Sequence, residues 1–133
     1  PNTIDFFHGY TFAGHPLAAA AALAAQDLYA AEGLYTRARR LEKYWGDCLF
    51  SLRGSPNVID IRCLGLMGAI ELQPRPGKPT ARAFAALVDA FHREQLLIRT
   101  TGDTIALAPP LIVSRQQIDM IVERVGRVLT RIR

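Results

Sequence analysis

Cysteine is scarce in this chain. Cys48 and Cys63 stand far apart, form no CxxC pair and share no metal-type spacing with His8, His15 and His92. That excludes a disulfide framework and a structural zinc site, and the two thiols are expected to be free and buried in a reducing compartment. Lysine is almost missing: Lys43 and Lys78 stand against 14 arginines. Lys43 falls on the polar side of an amphipathic pattern and Lys78 in a proline-glycine loop. Neither is placed to be desolvated or paired, as a lysine that attacks or holds a carbonyl must be. No Ser-His-Asp or Cys-His pattern is evident, and the histidines read most simply as turn or surface residues. No apolar run reaches membrane-spanning length, because the alanine-rich stretch is only weakly hydrophobic. The first residues, "PNTIDFF", lack the basic start and apolar run of a secretory signal, and there is no initiating Met. The expectation is therefore a piece of something longer, or a processed product.

What is present suits one domain: 133 residues, half of them hydrophobic, with a net charge of +4. The arginines are spread over helix faces rather than gathered with aromatics, so the charge reads as a solvated surface and not as a nucleic-acid footprint. His15-Pro16 is a helix entry, and strong helix formers run from Leu17 to about Ala31. After a break at Glu32-Gly33, Leu34, Ala38, Leu41, Trp45, Cys48, Leu49 and Leu52 recur at helical spacing, until Gly54 stops them. In "NVIDIRCLGLMGAIEL" the period changes: Ile59 and Ile61 alternate with Asp60 and Arg62, and Gly65 and Gly68 bracket a second apolar run. "QPRPGKP" is a loop. Phe84, Leu87, Val88 and Phe91 mark a further amphipathic helix. "LLIRTTGDTIALAPPL" reads as strand, tight turn at Gly102-Asp103, strand and proline stop, with Arg99 ending the first strand. Ser114 and Gln117 fit a capping box ahead of a helix whose apolar stripe is Ile118, Ile121, Val122, Val125, Leu129 and Ile132. This order predicts an α+β fold, with helices packed on one face of a mostly antiparallel sheet. A leading helical segment, residues 1–33, is set apart from a small α+β domain over residues 34–133 that includes the long connecting helix.

Two places could carry chemistry. "HGYTFAGHPLAAAAALA", from His8 to Ala24, sets a polar turn against a helix start, where unpaired N–H groups can hold a phosphate or carboxylate. Thr11 adds a hydroxyl, and Gly14 allows close backbone approach; a plain helix cap is the simpler reading of the same residues. Arg99 sits beside a Gly-Asp turn and near Pro109-Pro110. A guanidinium there can take a carboxylate in a bidentate way, or can merely pair with Asp103.

Taken together, "FFHGYTFAGHPLAAAAALA", "NVIDIRCLGLMGAIEL" and "LLIRTTGDTIALAPPLIVSRQQID" resemble the C-terminal third of class III aminotransferases, in the family's order and over nearly the whole chain. The likeness is greatest to the ω-amino-acid–pyruvate (β-alanine–pyruvate) branch. The resemblance implies the C-terminal small domain of a fold type I pyridoxal-phosphate enzyme, preceded by the end of its large domain. It also implies a cytoplasmic homodimer with shared active sites, acting on small amines and keto acids, with no nucleic-acid or membrane partner. Thr11, with Tyr10, would hold the cofactor phosphate of the partner subunit, and Arg99 would pair with the substrate carboxylate. The Schiff-base lysine precedes the opening motif in that family. No lysine precedes His8 here, so these residues alone are expected to be inactive. Another class III enzyme (a diamine- or acetylornithine-type aminotransferase, a decarboxylase or an aminomutase) and a non-catalytic α+β binding or oligomerisation module remain the alternatives.

Overall fold

The computed structural model describes residues 9–132, so His8, at the head of the opening stretch, lies outside the described residues. The chain falls into two compact units that part between Gly33 and Leu34. In the first unit, helix α1 spans Pro16–Ala31. Pro16 enters it with a preset φ and no N–H to leave unsatisfied, and alanine carries it by propensity. It buries none of its residues, and Leu17, Leu23 and Leu28 are all exposed. Gly33 ends the segment in a left-handed conformation.

The second unit runs α2 (Leu34–Phe50), β1 (Val58–Leu64), β2 (Met67–Leu72), α3 (Ala81–Glu94), β3 (Arg99–Thr101), β4 (Thr104–Leu107) and α4 (Arg115–Arg131). The strands lie in the order β1-β2-β4-β3, every neighbour antiparallel. This is the expected α+β class. Alternation sets the two faces of the sheet. Ile61, Ile70, Leu72, Ile105 and Leu107 are buried with Trp45 and Leu49 of α2, Ala83, Ala86 and Ala90 of α3, and Ile118, Val125 and Leu129 of α4. Arg62, Ala69, Glu71 and Ala106 alternate with them and lie on the other, open face. The capping box forms as expected: Ser114 Oγ accepts from the Gln117 amide at 3.2 Å, and Gln117 Oε1 accepts from the Ser114 amide at 2.9 Å.

Four expectations are corrected. Ile59 does not share the buried face with Ile61: a β-bulge between Val58 and Asp60 inserts it as an extra residue and leaves it 52% exposed. Of the apolar stripe expected on α3, only Leu87 packs against the core. Phe84, Val88 and Phe91 are exposed, while the small residues Ala83, Ala86 and Ala90 are buried. The strand in "LLIRTT" starts at Arg99 rather than ending there, and Leu96 to Ile98 are irregular. Both cysteines are free, but half-buried rather than buried.

Arginine, expected on wet surfaces, does much of the bracing. Arg82, itself buried, donates to the carbonyls of Gln73 at 2.7 Å and Ile132 at 3.0 Å. Arg127 and Arg131 of α4 both reach Glu94 at the end of α3, at 2.7 and 2.5 Å, and Arg131 also takes Asp89 at 2.6 Å. Hydrogen bonds from Arg127 and then Arg131 hold the Glu94 carboxyl down from its usual 4.5 to about 2. A depressed carboxylate stabilises the fold above its unfolded pKa and loses that contribution as pH falls through the folded one. We therefore expect the midpoint of thermal unfolding to fall between pH 4.5 and 2 more gently in Glu94→Gln than in the wild type. Identical acid limbs for both proteins would rule Glu94 out as the source.

Candidate functional site

Arg99 opens β3, the edge strand, and pairs with Ala106 of β4, which pairs in turn with Ala69 of β2. Side chains of paired residues share a face, so Arg99, Ala106 and Ala69 form a row on the open side of the sheet. Arg99 stands at the outer end of this row, with Ala106 and then Ala69 on its inner side. The side chain is exposed, and among the described residues no hydrogen bond or ion pair engages it. It borders a hollow of about 720 Å³ whose other lining is mostly apolar, chiefly Leu96, Leu97, Ile98, Pro109, Pro110 and Ile121, with Thr100 the polar exception. An unpaired guanidinium beside an apolar wall has the chemistry to receive a carboxylate: the fork offers two parallel N–H donors and the wall can take a hydrocarbon part.

The simpler alternative, a salt bridge from Arg99 to Asp103, does not form. The Asp103 carboxylate turns to the start of α3, where Oδ2 accepts from the Thr80 amide at 2.9 Å. The chain just beyond the proline wall of the hollow is held by one of the helix-face arginines. Arg37 of α2 donates from Nε to the Leu111 carbonyl at 3.2 Å, and from Nη2 to those of Ile112 and Val113 at 3.2 and 2.6 Å. Its partners lie more than 70 positions away in sequence, and no local pattern could have pointed to them.

In the first unit, residues 11–14 form the turn ahead of α1, closed by the Ala13 amide donating to the Tyr10 carbonyl at 2.9 Å. The turn leads into the N-cap at His15, where no side chain caps the helix. Tyr10 and Thr11 are exposed, Tyr10 to 92%. Neither the Thr11 hydroxyl nor its amide has a hydrogen-bond partner among the described residues. These free donors precede the positive end of a 16-residue helix.

Neither lysine is set up for covalent chemistry. Lys43 is 86% exposed and bonded to Asp47 at 2.6 Å, and Lys78 is exposed in its loop.

The aminotransferase class-III family profile matches residues 2–129. The chain belongs to the class III aminotransferases. It is 51% identical over 129 residues to an omega-aminotransferase of Caulobacter vibrioides, covering 97% of this chain and 29% of that protein. It is 37% identical over 131 residues to a beta-alanine–pyruvate aminotransferase of Pseudomonas aeruginosa, covering 98% of this chain and 29% of that one. The omega transaminase of Pseudomonas jessenii, solved in complex with PMP, superposes with a TM-score of 0.78 at 34% identity, over 92% of this chain and 28% of that one. The class III chain described here thus spans under a third of the length of these relatives.

Family membership implies pyridoxal phosphate. The residues present suit part of that group. A phosphate needs donors and positive potential, which the unpartnered Thr11 hydroxyl and amide and the start of α1 provide. For its carbonyl carbon this chain offers only Lys43 and Lys78, and neither is suited.

Proposed function

We propose that this chain is the C-terminal part of a fold type I, pyridoxal-phosphate-dependent aminotransferase. The enzyme moves an amino group from an amine or ω-amino acid, such as β-alanine, to pyruvate or a similar keto acid. The observation that carries this reading is the unpaired Arg99 beside its apolar hollow, within a class III fold. Residues 1–33 are the end of the large domain and its phosphate-binding turn, and residues 34–133 are the small domain. The enzyme is a cytoplasmic homodimer with shared active sites.

Bound pyridoxal phosphate supplies the electron sink that lets an amino group leave one substrate and join the next. This chain's residues bind and orient. The Thr11 hydroxyl and amide donate to the phosphate of the partner subunit's cofactor, with Tyr10 packed beside them. Arg99 donates two N–H groups to the substrate carboxylate, which aims the opposite end of the molecule at the reacting centre. The hollow wall of Leu97, Pro109 and Pro110 excludes water from the hydrocarbon part. The lysine that forms the covalent link to the cofactor lies outside these residues.

The full-length enzyme should form alanine from pyruvate when given β-alanine, and failure with every amine or ω-amino donor would end this reading. Thr11→Ala should weaken pyridoxal-phosphate binding about tenfold or more. A hydrogen bond to a charged group contributes about 1.5–3 kcal/mol, and 1.4 kcal/mol is a factor of ten. Equilibrium dialysis with cofactor absorbance measures this, and thermal unfolding of the cofactor-free protein should not move. An unaltered dissociation constant would remove Thr11 from the phosphate site.

A further inference from the structure

We propose that Asp103 is a positioning residue for Arg99: it caps α3 from across the β3–β4 turn and thereby fixes the angle at which β3 presents the guanidinium. The inference rests on the carboxylate-recognition reading of Arg99 above.

Helix α3 begins with no capping device of its own. Thr80, at its N-cap, adopts a left-handed φ of 68° and makes no side-chain cap, and the first turn carries no acidic residue. The positive end of a 14-residue helix is therefore left without a local anion. Asp103 supplies one from 23 positions further along the chain, with Oδ2 accepting from the Thr80 amide at 2.9 Å. Its second oxygen, Oδ1, is buried with no hydrogen-bond partner among the described residues. Burying one carboxylate oxygen without a partner is costly, and the helix terminus is the feature here that offsets the cost. The Asp103 carbonyl accepts from the Leu72 amide at 2.8 Å as well. One residue thus ties the hairpin turn to the end of β2 and to the start of α3.

The hairpin needs that tie. β3 has three residues and β4 four, joined through Gly102 in a left-handed conformation. β3 is an edge strand, held on its inner side by the pairs Arg99–Ala106, Thr100–Ile105 and Thr101–Thr104. So short a ribbon is marginal without outside support. A swing at its turn becomes a displacement of Arg99, at the far end of the same strand. A two-pronged receptor tolerates little misplacement, because about 1 Å can cost a hundredfold in rate.

The test compares KM for β-alanine with KM for a primary amine lacking a carboxylate, both in the full-length enzyme. Asp103→Ala should raise the first roughly tenfold more than the second, the equivalent of one lost hydrogen-bonded contact. Asp103→Asn keeps an acceptor for the Thr80 amide and should recover most of the preference. In an Arg99→Ala background, Asp103→Ala should remove no further preference, since its effect passes through Arg99. Equal rises for both substrates, or a further loss without Arg99, would overturn the proposal. Amide hydrogen exchange separates its failure from that of the Arg99 reading. Asp103→Ala should speed exchange at Thr80, Thr101 and Ile105 while leaving α4 protected, whatever Arg99 recognises. Uniform acceleration throughout the domain would show general destabilisation and sink the positioning role.

Discussion

Arg99→Ala in the full-length enzyme should lower kcat/KM for β-alanine by roughly a hundredfold, while an amine without a carboxylate loses no more than about threefold. The magnitude follows from the geometry of the fork. A bidentate contact is two charge-assisted hydrogen bonds of about 1.5–3 kcal/mol each, part of which is returned as water re-enters the vacated hollow. Arg99 has no structural duty to confuse the result: no described residue bonds to it, and its neighbours across the strands are Ala106 and then Ala69. Stability of the variant should therefore match the wild type. Arg99→Lys should fall between, because an ammonium keeps the charge and loses the fork. Pyruvate carries a carboxylate too, so its KM should rise in parallel. Parallel losses for both amine classes would strip Arg99 of the recognition role and leave the hollow as packing.

Local chemistry was readable where it is written in adjacent residues. The capping box at Ser114 and Gln117, the hairpin turn at Gly102 and the stripe of α4 all depend on spacings of a few positions, and all are present. What escaped depends on which of two possibilities tertiary packing selects. In α3, Phe84, Val88 and Phe91 lie on one arc and Ala83, Ala86 and Ala90 on another, both at helical spacing. Periodicity detects each arc but does not say which one turns inward. The alanines won because small side chains let the helix sit close to the sheet and α4. The bulge at Ile59 adds one residue to an otherwise regular alternation, and nothing in "VIDIR" marks it. Arg99 and Asp103 posed the same kind of choice. Four positions apart and opposite in charge, they looked like a pair; β3 directs the first to the open face, and the α3 terminus draws the second away. The site was legible as residue types. Its availability was not, because that depends on where Asp103 goes.

Gly68→Val should be strongly damaging to the domain core, destabilising the 133-residue chain by about 3 kcal/mol or more in urea unfolding. Gly68 is buried in β2 against α2, where a Cβ would come within 2.3 Å of Leu49 Cδ1 and 3.3 Å of the Trp45 ring. A methyl at 2.3 Å is far inside van der Waals contact. Leu49 could move only if it had somewhere to go, yet both it and Trp45 are fully buried. Close packing leaves no such space, so helix and sheet must separate. Gly68→Ala should be milder, in the range of about 1–3 kcal/mol typical of overpacking. Leu49→Ala alone should cost about 2–5 kcal/mol by opening a cavity. Combining Gly68→Ala with Leu49→Ala should cost clearly less than the sum of the two, since the added methyl enters the space the leucine vacates. Strict additivity would mean that Leu49 is not what holds position 68 to glycine.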